Sequence, residues 1–244
     1  MKFVLTPVLS MMAEFYGQAR SRERFDKYIA ALTGGDKDSL RLPIVGFNPM
    51  AKDYAVQKLG ELIELEAEEV AKTALGELNE ILAHHSGPDM QVVLNLADDA
   101  GGAWTNRFTT DYSSKFKMSG VAKFGFCTPH FWTSEDYSKE TIASRVKAYA
   151  LRSAHWQLHG DPDSLADHIR QEQYVTSLMS GEYSDCSVEE QAKIATVFEE
   201  NRSSTDYSLI FNFFYGDEAS SSLGYSKYGV GSCTGFEFAK FVGE

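Results

Sequence analysis

The chain has 244 residues, of which 43% are hydrophobic and 24% are charged, a balance that is typical of globular proteins and excludes an intrinsically disordered chain. Its 23 basic and 35 acidic residues leave a net charge of -12. This acidic excess argues against nucleic acid and anionic membranes as partners, because both bind to clustered positive charge. The length fits a single domain, with a helical part over residues 1–86 that packs on a mixed sheet formed by residues 87–244.

The cysteines bear on the compartment in which the protein works. Cys127, Cys186 and Cys233 lie far apart in the sequence. An odd number of cysteines cannot all pair within one chain, and scattered thiols are typical of a reducing compartment. The sequence therefore predicts three free thiols and a cytoplasmic location.

Two long helices are predicted in the first third of the chain. Apolar residues recur at helical spacing from Pro7 to about Thr33, with a kink expected near Gly17. A second helix is expected to begin at Pro49, after the cap Asn48, and its apolar stripe runs from Val56 almost to His84. At a rise of about 1.5 Å per residue, the second helix would span roughly 50 Å unless it breaks at Gly60 or Gly76. We expect this long helix to brace the rest of the domain.

Apolar runs of strand length follow these helices. The segment Gln91–Ala97 is rich in β-branched residues and leucine, which is typical of a buried central strand. Residues 121–128, continued through Trp132, have the character of a second strand or a pair of strands. Two aromatic runs near the end of the sequence, residues 207–215 and 235–242, predict terminal strands.

Three more helices are predicted between these strands, over Lys139–His159, from Ser164 to about residue 180, and from Val188 to about Arg202. Blocks of helices thus alternate with blocks of strands. This order favours an α+β or α/β fold over a regular alternation of single strands and helices. The expected architecture is a mixed sheet of about four or five strands, covered by about five helices.

A polar segment directly after the predicted central strand is the best candidate ligand site. Asp98 and Asp99 follow the strand, and Trp104, Asn106 and Arg107 lie on the same loop. Ligands of open α/β sheets gather beyond the carboxyl ends of strands, where adjacent carboxylates bind a divalent metal or act as acid and base. An arginine adds a bidentate fork for an anion. The segment therefore predicts a site for a small polar or anionic ligand.

A purely structural role explains the same segment equally simply. Aspartate and glycine are the commonest turn-forming residues, and Arg107 could pair with Asp111 on the surface. Both interpretations stay open at the level of the sequence.

The histidines of two neighbouring helices form a candidate metal site. His155 and His159 are four residues apart, as are His168 and Glu172, and this spacing places both members of a pair on one helix face. If the two helices pack antiparallel, four nitrogen and oxygen ligands could meet around zinc or iron. The alternative is that His159 complements the negative dipole at the helix C-terminus without a metal.

Cys127 and His130 form a C-x-x-H pair, a spacing that occurs in zinc sites but needs a second pair of ligands. His155 and His159 could be that pair. A buried, inert thiol within the apolar run before it explains Cys127 as well.

Two functions are compatible with these residues. The absence of a complete catalytic motif favours a non-catalytic module that binds a partner protein or a small ligand, and a homo-oligomer is compatible with this role. The alternative is a metal-dependent hydrolase or related enzyme, in which Asp98 and Asp99, or the histidines, hold zinc or another divalent ion.

Overall fold

The structure, a computed structural model, describes residues 1–36, 39–100, 105–179 and 186–242. It is 58% helix and 6% strand, with 11 helices and two small sheets in these ranges. The expected α+β or α/β fold, with a mixed sheet of about four or five strands and about five helices, is therefore wrong. The chain divides into two compact units, residues 1–114 with 118–153 and residues 115–117 with 154–244.

The first unit holds all the strands of the described ranges and the first helices. In chain order, its elements are β1 (Phe3–Leu5), α1 (Leu9–Gly17), α2 (Arg22–Thr33), α3 (Asp53–Glu64), α4 (Ala67–Ile81), β2 (Met90–Val92), β3 (Asn95–Ala97), α5 (Arg107–Phe116), α6 (Ser119–Ala122), β4 (Phe126–Cys127), β5 (His130–Trp132) and α7 (Lys139–His159). The last residues of α5 and α7 belong to the second unit.

Both sheets are parallel throughout. One has the strand order β1-β2-β4, and the other pairs β3 with β5, so that Ala97 lies opposite Trp132. The predicted central strand thus contributes to both sheets, as β2 and β3, and its residues are buried apart from Gln91. Parallel strands that are covered on both faces have this continuous apolar character. Their parallel direction brings the carboxyl ends of β3 and β5 to the same edge.

The helices of the first third are shorter than the apolar stripes predict. The first stripe breaks after Gly17, the expected position. The second breaks at Glu66, whose φ of 56° is left-handed and which separates α3 from α4, whereas Gly60 and Gly76 lie inside these helices. Glu68, in the first turn of α4, accepts hydrogen bonds from the backbone N–H groups at the start of α1, at 2.5 and 3.0 Å. A side chain from a distant helix thus caps α1.

The second unit is helical in the ranges described. It contains the end of α7 from residue 154 onward, followed by α8 (Leu165–Leu178), α9 (Val188–Asn201), α10 (Tyr207–Ser222) and α11 (Gly235–Phe241). The sequence predictions for α7, α8 and α9 are confirmed. Capping boxes fix the starts of two of them, Ser164 with Asp167 for α8 and Ser187 with Glu190 for α9.

The predicted terminal strands, residues 207–215 and 235–242, are helices instead. In α10, six successive residues from Leu209 to Phe214 are buried. A helix that is covered on all sides has no alternation of polar and apolar residues that would distinguish it from a buried strand. Asp206 identifies the start, because its carboxylate accepts a hydrogen bond from Leu209 N at 2.9 Å.

The expectation of three free thiols is also wrong. Cys186 and Cys233 form a disulfide with a Cα–Cα distance of 5.4 Å, and Cys127 is a buried free thiol. The bond links the residue before the capping box of α9 to the loop that leads into α11. A separation of 47 residues gave no indication of this pairing in the sequence.

Candidate functional site

Polar residues that follow β3 and β5 meet at the shared carboxyl edge of these strands. Asp98 and Asp99 come directly after β3, and Ser134 and Glu135 lie two and three residues after β5. Two arginines, one at the start of α5 and one within α7, reach the same place. We define the strand-end cluster as Asp98, Asp99, Arg107, Ser134, Glu135 and Arg145.

Asp98 is a buried residue of the strand-end cluster, with 2% of its surface exposed. Its carboxylate accepts hydrogen bonds from the Tyr54 hydroxyl at 2.7 Å and from the Asn48 amide at 2.9 Å. Burial, together with the hydrogen bond to Asp98, raises the pKa of Tyr54 to about 12. The hydroxyl therefore stays protonated and acts as a donor. Asp98 anchors the segment before α3, and α3 itself, to the end of β3.

Asp99 connects the two strand ends. Its Oδ1 accepts hydrogen bonds from the Thr133 hydroxyl and from Ser134 N, both at 3.0 Å. Its Oδ2 accepts one from Ser134 Oγ at 2.7 Å and lies 3.5 Å from an Arg107 nitrogen. Its side chain is 3% exposed, so these protein groups take up most of its capacity as an acceptor.

The two arginines share one carboxylate. Arg107 Nη2 donates to Glu135 Oε1, and Arg145 Nη1 donates to Glu135 Oε2 at 2.6 Å. Arg107 also donates to Ser134 Oγ at 2.8 Å, and its guanidinium lies 5.7 Å from the centre of the Trp132 ring. Its side chain is 39% exposed. Arg107 thus forms the accessible rim of the strand-end cluster, and its contacts with Glu135 and Ser134 fix its position.

The structure brings together three of the five predicted loop residues, Asp98, Asp99 and Arg107. Asn106 has a local role instead, because its Oδ1 accepts a hydrogen bond from Thr109 N at 3.1 Å and caps α5. Trp104 lies outside the described residues.

Sequence reasoning missed Ser134, Glu135 and Arg145. The rule that identified Asp98 and Asp99 would have found the first two, since they follow β5 as the aspartates follow β3. The two-residue and three-residue strands around Pro129 were too short to separate in the sequence.

The predicted histidine pair lies at the end of α7, in the second unit. The ring centres of His155 and His159 are 4.5 Å apart, and the Tyr174 ring lies 5.6 Å from that of His155. His155 is 5% exposed, and neither of its ring nitrogens has a hydrogen-bond partner among the described residues. Burial, and then the positive charge of His159 when protonated, lower the pKa of His155 to about 4. His155 is therefore a neutral imidazole at pH 7.

The other predicted metal ligands have different surroundings. His168 Nδ1 lies 2.8 Å from the Ser164 carbonyl oxygen, and its ring packs 4.8 Å from that of Phe116. Glu172 is buried and accepts a hydrogen bond from Gln171 at 3.2 Å. In the part of the chain that the structure describes, no three His, Cys, Asp or Glu side chains form a group suited to a metal. The four-ligand zinc or iron site thus gains no support.

Cys127 and His130 of the C-x-x-H pair also face protein groups. Burial raises the pKa of the Cys127 thiol to about 12, which keeps it protonated and unreactive at neutral pH. His130 Nδ1 lies 2.8 Å from the Thr128 carbonyl oxygen. These contacts favour the interpretation of Cys127 as a buried small hydrophobe.

Comparison with known proteins adds no assignment. No known protein family, curated protein sequence or solved structure matches the chain significantly. Within the described ranges, no helix is both long enough and apolar enough to cross a membrane.

Proposed function

We propose that this protein is a non-catalytic module that binds a small polar ligand, one carrying both a positive and a negative charge, at the strand-end cluster. One observation carries the proposal. The ion pair between Arg107 and Glu135 lies at the accessible rim, with 39% of the arginine side chain and 19% of the glutamate side chain exposed. A zwitterion can present its anion to the guanidinium and its cation to the carboxylate.

The charges of the strand-end cluster support a ligand of this class. It contains three carboxylates and two guanidinium groups. A ligand that is purely anionic meets the repulsion of the carboxylates, and a purely cationic one meets Arg107 at the rim. A zwitterion avoids both costs.

The hydrogen bonds of the aspartates favour binding over catalysis. A general acid or base must come within hydrogen-bond distance of the substrate. Asp98 and Asp99 are buried and bonded to Tyr54, Asn48, Thr133 and Ser134. Their role in the proposal is to hold the strand ends and Ser134 in position beneath the ligand.

Thermal unfolding in the presence of single small molecules tests the proposal. The panel contains the standard L-amino acids as zwitterions, with acetate and methylammonium as probes of one charge only. We expect at least one zwitterion to raise the melting temperature, by an amount that corresponds to about 1.4 kcal/mol at tenfold excess over its Kd, and neither single-charge probe to do so.

Two variants assign the effect to the rim. Arg107→Ala should abolish the shift in melting temperature. Arg22→Ala is the matched control, because Arg22 is 84% exposed and pairs with Asp26 on α2, so its shift should equal that of the wild type. The proposal is overturned if no zwitterion stabilises the protein, or if Arg107→Ala leaves the shift intact.

A further inference from the structure

We infer that His155 and His159 form a two-histidine site for a borderline divalent transition ion, such as Zn²⁺ or Ni²⁺, with its remaining coordination positions left to water. This site lies in the second unit and is independent of the strand-end cluster. It needs only two protein ligands, so it differs from the four-ligand site that the sequence suggested.

The geometry of α7 supplies the two ligands. Residues four apart on a helix lie on one face, and the two ring centres are 4.5 Å apart at an angle of 41°. Metal–nitrogen bonds of about 2.0 Å allow one ion to bridge rings at this separation. His159 is exposed, so an ion can reach this ring from solvent, whereas both ring nitrogens of His155 are buried.

His155 provides the independent sign that a ligand is missing. It is 5% exposed, and neither ring nitrogen has a hydrogen-bond partner among the described residues. Buried imidazoles normally bond to protein or water through at least one nitrogen. A metal ion would take the lone pair of one nitrogen, and imidazole is a preferred ligand of Zn²⁺, Ni²⁺ and Cu²⁺.

Charges of both signs surround the histidine pair. His159 is the last residue of α7, where the helix dipole is negative. Asp167 and Glu172, on α8, lie within electrostatic range of the His155 ring and attract positive charge, while Arg170 opposes them. The helix C-terminus adds to the attraction of the two carboxylates for a cation, and Arg170 reduces it.

Titration of the intact protein with Ni²⁺ by isothermal calorimetry tests the site. We expect one ion to bind, and His159→Gln to weaken binding by about tenfold or more, on the scale of losses that follow changes around metal ligands. Because His159 is exposed, this variant preserves the fold. His84→Gln removes another exposed histidine, in the turn after α4, and should leave the Kd unchanged.

Quenching of tryptophan fluorescence by Cu²⁺ locates the ion. Trp156 lies between the two histidines in the sequence, so saturable quenching should disappear in both His159→Gln and His155→Leu. The inference is overturned if the wild type binds no Ni²⁺, or if His159→Gln binds it as tightly as the wild type does. Neither result bears on zwitterion binding at the strand-end cluster, so the two proposals fail separately.

Discussion

In the first unit, the buried carboxylate of Asp98 accepts hydrogen bonds from Tyr54 and Asn48, whereas in the second unit the buried ring of His155 has no partner for either nitrogen among the described residues. Both side chains are at most 5% exposed. Similar burial therefore has different consequences for stability at the two positions. A polar group with partners stabilises the fold, and one without them indicates a missing ligand or a cost in stability.

The two units also differ in the interactions that stabilise each of them internally. Around the strand-end cluster, hydrogen bonds and ion pairs join α3, β3, β5, α5 and α7. In the second unit, aromatic rings of α9, α10 and α11 pack together; Phe198, Phe213 and Phe238 have ring centres 5.0 to 6.2 Å apart. The disulfide reinforces this packing. Substitutions at the disulfide, Asp98, His155 and Arg107 separate the contributions of these interactions.

Breaking the disulfide should have the largest effect. Replacing Cys186 and Cys233 by serine opens a loop of 47 residues, and loop-closure entropy for this length predicts a loss of about 4 kcal/mol in the free energy of unfolding. Chemical denaturation with and without reductant measures it, and reductant should have no further effect on the double variant. Thiol titration of denatured, unreduced protein should give one thiol, Cys127, and a count of three would contradict the pairing.

Replacing Asp98 by leucine should be nearly as damaging. The substitution removes the acceptor of the Asn48 amide and leaves the Tyr54 hydroxyl only the Ala100 carbonyl oxygen, at 3.1 Å. Removing one partner from such hydrogen bonds costs about 1 to 3 kcal/mol. Urea denaturation measures the change, with Asp136→Leu as the control, because Asp136 is fully exposed. A loss below about 0.5 kcal/mol would show that Asp98 does not anchor the strand end.

His155 should make stability depend on pH. Its pKa is about 4 in the folded protein against 6.5 when unperturbed, so the unfolded chain binds the proton more tightly. The contribution of His155 to the free energy of unfolding is complete above about pH 6.5. It falls by about 1 to 2 kcal/mol as the pH drops toward 4, which is less than the full pKa difference corresponds to, because solvent screens the ring. His155→Leu should flatten this part of the pH profile.

At pH 7 the same variant gives a direct contrast with Asp98→Leu. Because His155 has no hydrogen bond to lose, we expect His155→Leu to change the free energy of unfolding by less than about 1 kcal/mol. A loss as large as that of Asp98→Leu, or an unchanged pH profile, would mean that His155 has partners in solution.

The smallest effect on stability is expected for Arg107→Ala. The arginine is 39% exposed, and Glu135 keeps its ion pair with Arg145 at 2.6 Å. Asp99 loses its contact with Arg107 at 3.5 Å but keeps its hydrogen bonds from Thr133 and Ser134. Thermal denaturation without ligand should show a loss of about 0.5 to 1 kcal/mol. A loss above about 3 kcal/mol would instead assign Arg107 to the structural core of the cluster.

Local signals made part of this molecule predictable. α7, α8 and α9 have caps or breaks at both ends in the sequence, such as the serines of the capping boxes, and their bounds agree with the structure. The rule that polar residues after a strand lie at its carboxyl end grouped Asp98, Asp99 and Arg107, and the structure places these residues close together. That rule uses only the local order of strand and loop.

The features that the sequence did not predict depend on contacts between residues distant in the chain. The aromatic run of α10 is buried on every side, so its pattern carries no period. The pairing of Cys186 with Cys233 and the capping of α1 by Glu68 join residues 47 and about 60 positions apart, which sequence spacing does not reveal. Glu135 follows β5 in the sequence, but its position beside Asp99 depends on the parallel pairing of β3 with β5.

The role of the strand-end cluster is tested most directly by nuclear magnetic resonance titration with the amino acid that gives the largest thermal shift. The account predicts saturable changes in the Arg107 Nε–H resonance and in the backbone amide of Ser134, with the same Kd for both, and no such changes in Arg107→Ala. Changes confined to residues 154–242, or no saturable change at all, would contradict it.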